Sequence, residues 1–172
     1  MAQRRNRTLA LTGPWAGATN GRLGASDHSV SESYPAQPDA VPAARAQIGN
    51  FALAAGIAGE ALHAIRLAVS EAVTNAVRHA YRGRAGMVYV TAASVPGEFV
   101  VLVSDDGCGY QTPAENPGFG WGLAVIADAT DEFVITERGG GGTEVRMRFH
   151  VAETRATEAP ARGSDISATT PA

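Results

Sequence analysis

Glu71, Asn75 and His79 recur at intervals of four within AVSEAVTNAVRHAY, residues 68–81 of a 172-residue chain. The rest of that segment is mostly apolar. A helix that only had to pack could carry Ala or Leu at those positions. One that only had to dissolve would carry Lys or Arg. A carboxylate can take a proton, an amide oxygen can ligate a hard cation, and i,i+4 spacing on a helix aims both at one point. At about 100 degrees per residue with Val69 at zero, Leu62, Ile65, Ala72, Val73 and Ala76 fall within about 60 degrees of it. The three polar residues fall between roughly 200 and 280 degrees. One face therefore packs, and the stripe faces something else. Read alone, this helix leaves two readings open. One is a solvated face with a Glu–Asn–His ladder worth roughly a few tenths of a kcal/mol; the other is a reactive stripe.

Two glycine segments add further chemistry. In SDDGCGY, Ser104 to Tyr110, Asp105 closes an apolar run and Gly107 and Gly109 follow at alternate positions. Glycine lets a ligand approach the backbone, and a carboxylate at a strand end can accept hydrogen bonds from an amine. A tight turn is the plainer reading of this piece alone. In PGFGWGLAVIADAT, Gly118, Gly120 and Gly122 stand at the mouth of a helix. Free N–H groups and the helix dipole there favour phosphate, although a flexible helix start would look the same. The run GGGG at 139–142 leads into Thr143 and reads by itself as a hairpin turn.

The elements that must position these residues form an α+β pattern. SESYPAQ is compatible with a short edge strand. A helix is expected over 42–55, with Val41, Ala44, Ile48, Phe51 and Leu53 as buried contacts, and a second over 61–81 that stops at Arg82-Gly83. Strands are expected over 87–93, 98–104, 132–137 and 143–151, the last with Val145, Met147 and Phe149 alternating with charged residues. A helix over 121–130 lies between the second and third of them. Residues 1–30 and 153–172 read as disordered tails around a single folded unit over 31–152.

Bulk properties exclude several classes. Apolar residues make up 45% of the chain, in the globular range. A net charge of -3 gives no electrostatic case for nucleic acid or a membrane surface. No stretch approaches the ~20 apolar residues of a membrane helix, and Cys108, the single cysteine, fits a reducing cytoplasm. There is no lysine, which excludes a P-loop and the ordinary protein-kinase site.

Taken in order and spacing, the four pieces resemble the N, G1, G2 and G3 boxes of the GHKL ATP-binding superfamily, over about residues 34–151. EAVTNAVRHAY is similar to the EAVxNAxxHxY motif of the small anti-sigma-factor serine/threonine kinases. The resemblance implies a two-layer α/β sandwich of the Bergerat type, a mixed, mostly antiparallel sheet with helices on one face. It implies ATP and Mg²⁺ as cofactors, with Glu71 as general base and Asn75 as metal ligand. Asp105 would read the adenine amine, with Gly107 and Gly109 beside the base. Gly118, Gly120, Gly122 and Leu123 would form the phosphate loop and helix start, with Thr143 behind the adenine. His79 is expected to be structural. The implied function is phosphorylation of a serine on a STAS-type antagonist, together with sequestration of a sigma factor in the cytoplasm. The family often dimerises, which leaves a homodimer open. The link YQTPAENPGFG is shorter than the family's usual lid and carries no Lys or Arg. It favours the alternative, a nucleotide-dependent binding module without phosphotransfer.

Overall fold

The computed structural model of the chain describes residues 29–109 and 120–151. The expected tails lie outside them, except for Ser29 and Val30. These two belong to the first strand, because they continue its ladder opposite Ala93 and Ala92. The Tyr110–Phe119 link, Gly118 included, also lies outside the described residues.

The chain runs β1 (Ser29–Pro35), α1 (Ala40–Ala54), α2 (Gly59–Asn75), a π-helical turn (Ala76–Ala80), β2 (Met87–Val95), β3 (Glu98–Asp105), α3 (Gly120–Ala129), β4 (Glu132–Glu137) and β5 (Thr143–His150). The five strands form one sheet in the order β1-β2-β3-β5-β4. All four ladders are antiparallel, so the expected mixed sheet is corrected to a purely antiparallel one. The reason lies in the connections. α1 and α2 form a helical pair that returns the chain to the end of the sheet it left, with Pro35 opposite Met87. The single-helix crossover through α3 makes β4 run with β3, but β5 is inserted between them.

The inner sheet face follows the alternation of the strands. Val88, Val90 and Ala92 of β2, Phe99, Val101 and Val103 of β3, and Val145, Met147 and Phe149 of β5 are buried there. α1 meets this face with Ala40, Ala44, Ile48 and Ala52, four residues apart. The small Ala side chains let the helix lie close, and the Phe51 and Phe99 rings meet with centroids 5.7 Å apart. Leu53 is a correction. One step past Ala52 it turns away from the sheet and is 47% exposed. α2 buries Leu62, Ile65, Ala68, Val69, Ala72 and Val73, as its apolar arc requires. α3 contributes Ile126.

The predicted 61–81 helix is not uniform. It is α-helical to Asn75 and π-helical over Ala76–Ala80. The Ala80 carbonyl, at the helix C-terminus where carbonyls lack intrahelical donors, accepts the Cys108 N–H at 2.8 Å. The end of the helix is thereby tied to the loop after β3. Apolar periodicity carries no signal for a π turn.

Candidate functional site

The polar stripe of α2 turns toward α3. Glu71 and Asn75 are half-buried and close tightly on Gly122 of α3. A Cβ at Gly122 would lie 3.0 Å from Asn75 Oδ1, 3.1 Å from Glu71 Oε2 and 3.3 Å from Asn75 Nδ2. Asn75 Nδ2 is buried without a hydrogen-bond partner among the described residues. A buried amide left so is costly unless a ligand completes it. His79, one turn on, lines the same cleft. Burial, followed by the neighbouring Arg78 charge, pushes its pKa down.

Asp105 lies at the other end. It is 5% exposed, and the hydrogen bonds that the described residues make to its carboxylate both fall on Oδ1. They come from the Gly107 N–H at 2.9 Å and the Thr143 N–H at 3.2 Å. Burial pushes the Asp105 pKa up, and these two donors oppose the shift. The approach of the β4–β5 hairpin depends on Gly142, whose φ is +92° and whose Cβ would collide with the Asp105 carbonyl. A Cβ at Gly107 would strike the Ala80 carbonyl in the same way.

One cleft joins the two ends. Asn75, His79, Asp105, Gly109, Leu123 and Thr143 all line it. Residues from α2, the β3 end, α3 and β5 therefore converge as their spacing suggested. Glu71 does not line this cleft; it meets Asn75 around Gly122. Gly107 lies beneath the loop against Ala80. Gly120 opens α3.

Sequence reasoning missed several contributors. Val103, Ile135 and Val145 supply an apolar floor, two residues of which come from the β4–β5 hairpin. The alternation of their strands placed them inside without saying that they face a cleft. Tyr81 closes the quoted motif, but its work is visible only in space. Its buried hydroxyl donates to Asp106 Oδ1 at 2.5 Å and accepts the N–H groups of Met87 at 3.0 Å and Asp106 at 3.2 Å. Burial, then the Asp106 bond, pushes the Tyr81 pKa up to about 12. The same hydroxyl draws the Asp106 pKa down.

The arrangement suits a ligand with two unlike ends. A planar apolar group bearing an amine fits Asp105 over a floor of Val and Ile. An anionic group with a cation fits the Asn75 amide beside the first turn of α3, where helix N–H groups are unpaired. A carboxylate, Glu71, stands beside that second end.

Comparison with known proteins agrees with this description. A family model described as a histidine kinase-like ATPase domain matches residues 34–149. The anti-sigma F factor of Halalkalibacterium halodurans is 29% identical over 141 residues, covering 75% of this chain and 97% of the relative. The serine-protein kinase RsbW of Listeria monocytogenes is 34% identical over 82 residues, 47% of this chain and 52% of that one. Among solved structures, the RsbU and RsbW domains of a Mycobacterium tuberculosis protein superpose with a TM-score of 0.59 at 26% identity, over 73% of this chain and 32% of that one.

Proposed function

The chain belongs to the histidine kinase-like ATPase family and within it to the anti-sigma serine-kinase type; we propose that it moves the γ-phosphoryl group of ATP to a serine of a STAS-type antagonist protein and that it sequesters a sigma factor. The observation that supports this most directly is the single cleft shared by Asn75 and Asp105, with Glu71 and Asn75 both packed on Gly122.

In this reading, Asp105 accepts the adenine amine on the carboxylate oxygen that Gly107 and Thr143 do not use. Gly109 and Thr143 flank the base, and Gly107 holds the loop down on Ala80. The first turn of α3, with Gly120, Gly122 and Leu123, faces the phosphates, and Gly118, outside the described residues, is assigned to the same phosphate loop by its sequence motif alone. The donor set fits Mg²⁺, because an octahedral ion bound to phosphates and waters needs few protein ligands. Asn75 would hold it, and when bound it would neutralise charge on the β- and γ-phosphates. Glu71 takes the proton of the substrate serine as its oxygen bonds to the γ-phosphorus. The bond from that phosphorus to the β,γ-bridging oxygen breaks, and ADP leaves. Such a base contributes about 10²–10⁴-fold, with positioning and charge supplying the rest.

The folded unit is proposed to run from β1 through β5. No described helix is long and apolar enough to cross a membrane, and a cytoplasmic site of action is part of the proposal. A second reading, a nucleotide-dependent binding module without transfer, is favoured by one observation: residues 85–137 contain no Lys or Arg. In the kinase reading, the N–H groups of α3 in cis, or an Arg from the partner in trans, offset the phosphate charge.

The deciding experiment incubates the full chain with γ-labelled ATP, Mg²⁺ and candidate STAS-type partners, wild type against Glu71→Gln. Stoichiometric serine labelling by the wild type eliminates the binding-module reading. Labelling retained in Glu71→Gln removes Glu71 as the base. Light scattering on the chain alone reads whether it dimerises.

A further inference from the structure

Arg138 belongs to none of the motifs, yet it is the only Lys or Arg from residue 85 to residue 145. It sits where β4 ends and the glycine run begins. Its Nη1 donates to the Asp105 backbone carbonyl at 3.0 Å. Its guanidinium carbon lies 6.0 Å from the centroid of the Tyr89 ring on β2, at the outer limit of a cation–π contact. Its own N–H donates to the Gly142 carbonyl at 3.1 Å, and its carbonyl accepts the Gly141 N–H at 2.9 Å. One side chain thus ties the end of β3 to the β4–β5 hairpin and to the outer face of β2.

That junction is where Asp105 is held. The Thr143 N–H reaches Asp105 Oδ1 only because Gly142 presses on the Asp105 carbonyl, the same carbonyl that Arg138 grips. The charged and titratable groups around Asp105 are Asp106 on the loop, Tyr81 bonded to Asp106, His79 on the π turn, Glu137 near Gly109, and Arg138. Burial and Asp106 push the Asp105 pKa up, while Arg138 draws both carboxylates down. Arg138 is exposed, so its field is partly screened and its geometric hold is the larger effect.

We propose that Arg138 is a positioning residue for adenine recognition: bonded to the Asp105 carbonyl and stacked on Tyr89, it locks the β3 end against the hairpin and keeps the Asp105 carboxylate turned into the cleft. The inference rests on reading that cleft as the nucleotide site.

The test uses the full chain and measures affinity for ATP and for adenosine by calorimetry between about pH 5 and pH 8. Arg138→Gln weakens both ligands by the same factor, about 3- to 10-fold at neutral pH. It also moves the acid-side loss of binding to higher pH, since less positive charge opposes protonation of Asp105. Arg138→Lys returns the acid limb to the wild-type position and recovers part of the affinity. Tyr89→Leu, which removes the stack and keeps the charge, weakens both ligands about 2- to 5-fold with no shift of the limb. Three results overturn the proposal: unchanged affinity in Arg138→Gln, a loss confined to ATP with adenosine spared, or equal losses in the Gln and Lys variants with an unshifted limb. If Arg138→Gln does not fold, the Lys and Tyr89→Leu variants decide. A wild-type chain that binds neither ligand refutes the nucleotide-site reading instead.

Discussion

Gly122→Ala separates stability from catalysis more sharply than any substitution of a polar residue. The added Cβ would stand 3.0 Å from Asn75 Oδ1 and 3.1 Å from Glu71 Oε2. Ordinary contact needs roughly 3.4 Å or more, so each side-chain end must retreat by a few tenths of an ångström. Both ends are flexible, and the strain is relieved at the site rather than in the core. Gly122 lies in the first turn of α3, where alanine is favoured over glycine by at most the about 0.8–1.0 kcal/mol of a helix interior. The variant should therefore be as stable as the wild type or up to ~1 kcal/mol more so. The transfer step should suffer. A ~1 Å misplacement of reacting groups costs about 10²-fold, so displacing the base and the metal-holding amide by a third to a half of that predicts a loss of about 5- to 10-fold, or ~1–1.4 kcal/mol of barrier. Adenosine affinity should not change, because Asp105 lies at the other end of the cleft. Urea melts read the first quantity, single-turnover labelling of the partner serine the second, and calorimetry with adenosine the third. Unaltered single-turnover rates with intact stability would show that the Glu71–Asn75–Gly122 contact is remote from the chemistry. A large loss of stability would show instead that the helix junction is overpacked.

Asp105→Asn should weaken ATP by roughly 1–3 kcal/mol, about 5- to 150-fold, the scale of a charge-assisted hydrogen bond in a buried site; unchanged binding in calorimetry removes Asp105 as the adenine reader. In the wild type, adenosine affinity should fall on acidification with a midpoint above the ordinary 3.8 of an aspartate, since burial raises this pKa, and a midpoint at or below that value refutes the assignment. The sign for stability is opposite. A carboxylate whose folded pKa is raised binds its proton more readily in the folded state, so its contribution favours folding as pH falls through that window and is lost as pH rises, a slope that urea melts should find missing in Asp105→Asn. Tyr81→Phe strands the N–H groups of Met87 and Asp106 and should cost about 1–3 kcal/mol in a urea melt; a smaller change would mean that water replaces the hydroxyl.

Much of this site was legible because its parts are local. A four-residue period on one helix face and glycines placed just after a strand or at a helix mouth are patterns within about a dozen residues, and Asn75, His79, Asp105 and Gly109 from these patterns line one cleft. The strand boundaries also held to within a residue or two, because β2, β3 and β5 alternate cleanly or are buried on both faces. What escaped was set by contacts distant in sequence. The π turn ends at Ala80, whose carbonyl accepts the N–H of Cys108, a residue beyond an entire hairpin. Leu53 looked like a core residue by type, but its angular position past Ala52 decided otherwise. Arg138 belongs to no local pattern, and only its meeting with the Asp105 carbonyl in space draws attention to it. The absence of a parallel β3–β4 pair follows from β5 lying between them, which no strand pattern encodes.

The two ends of the cleft share one physical device. At each, a polar side chain is buried with part of its hydrogen-bonding capacity unused by the described residues: Asn75 Nδ2 at one, and the second carboxylate oxygen of Asp105 at the other. At each, a glycine brings a second element close to that side chain: Gly122, where a Cβ would fit only if the ends of Asn75 and Glu71 gave way by a few tenths of an ångström, and Gly142, where it would collide with the Asp105 carbonyl. Main-chain contact of this kind sets the geometry without relying on rotamers, so the groups stay aimed before a ligand arrives. The cost is carried by the free protein, where an unpaired buried amide and a buried carboxylate both oppose folding. A ligand that completes both should therefore stabilise the fold by more than one that completes only the Asp105 end. At equal saturation relative to their dissociation constants, mass action alone predicts equal shifts. The comparison must accordingly be made at equal free concentration, where ATP with Mg²⁺ should raise the melting temperature well above adenosine in the wild type and lose that advantage in Asn75→Ala.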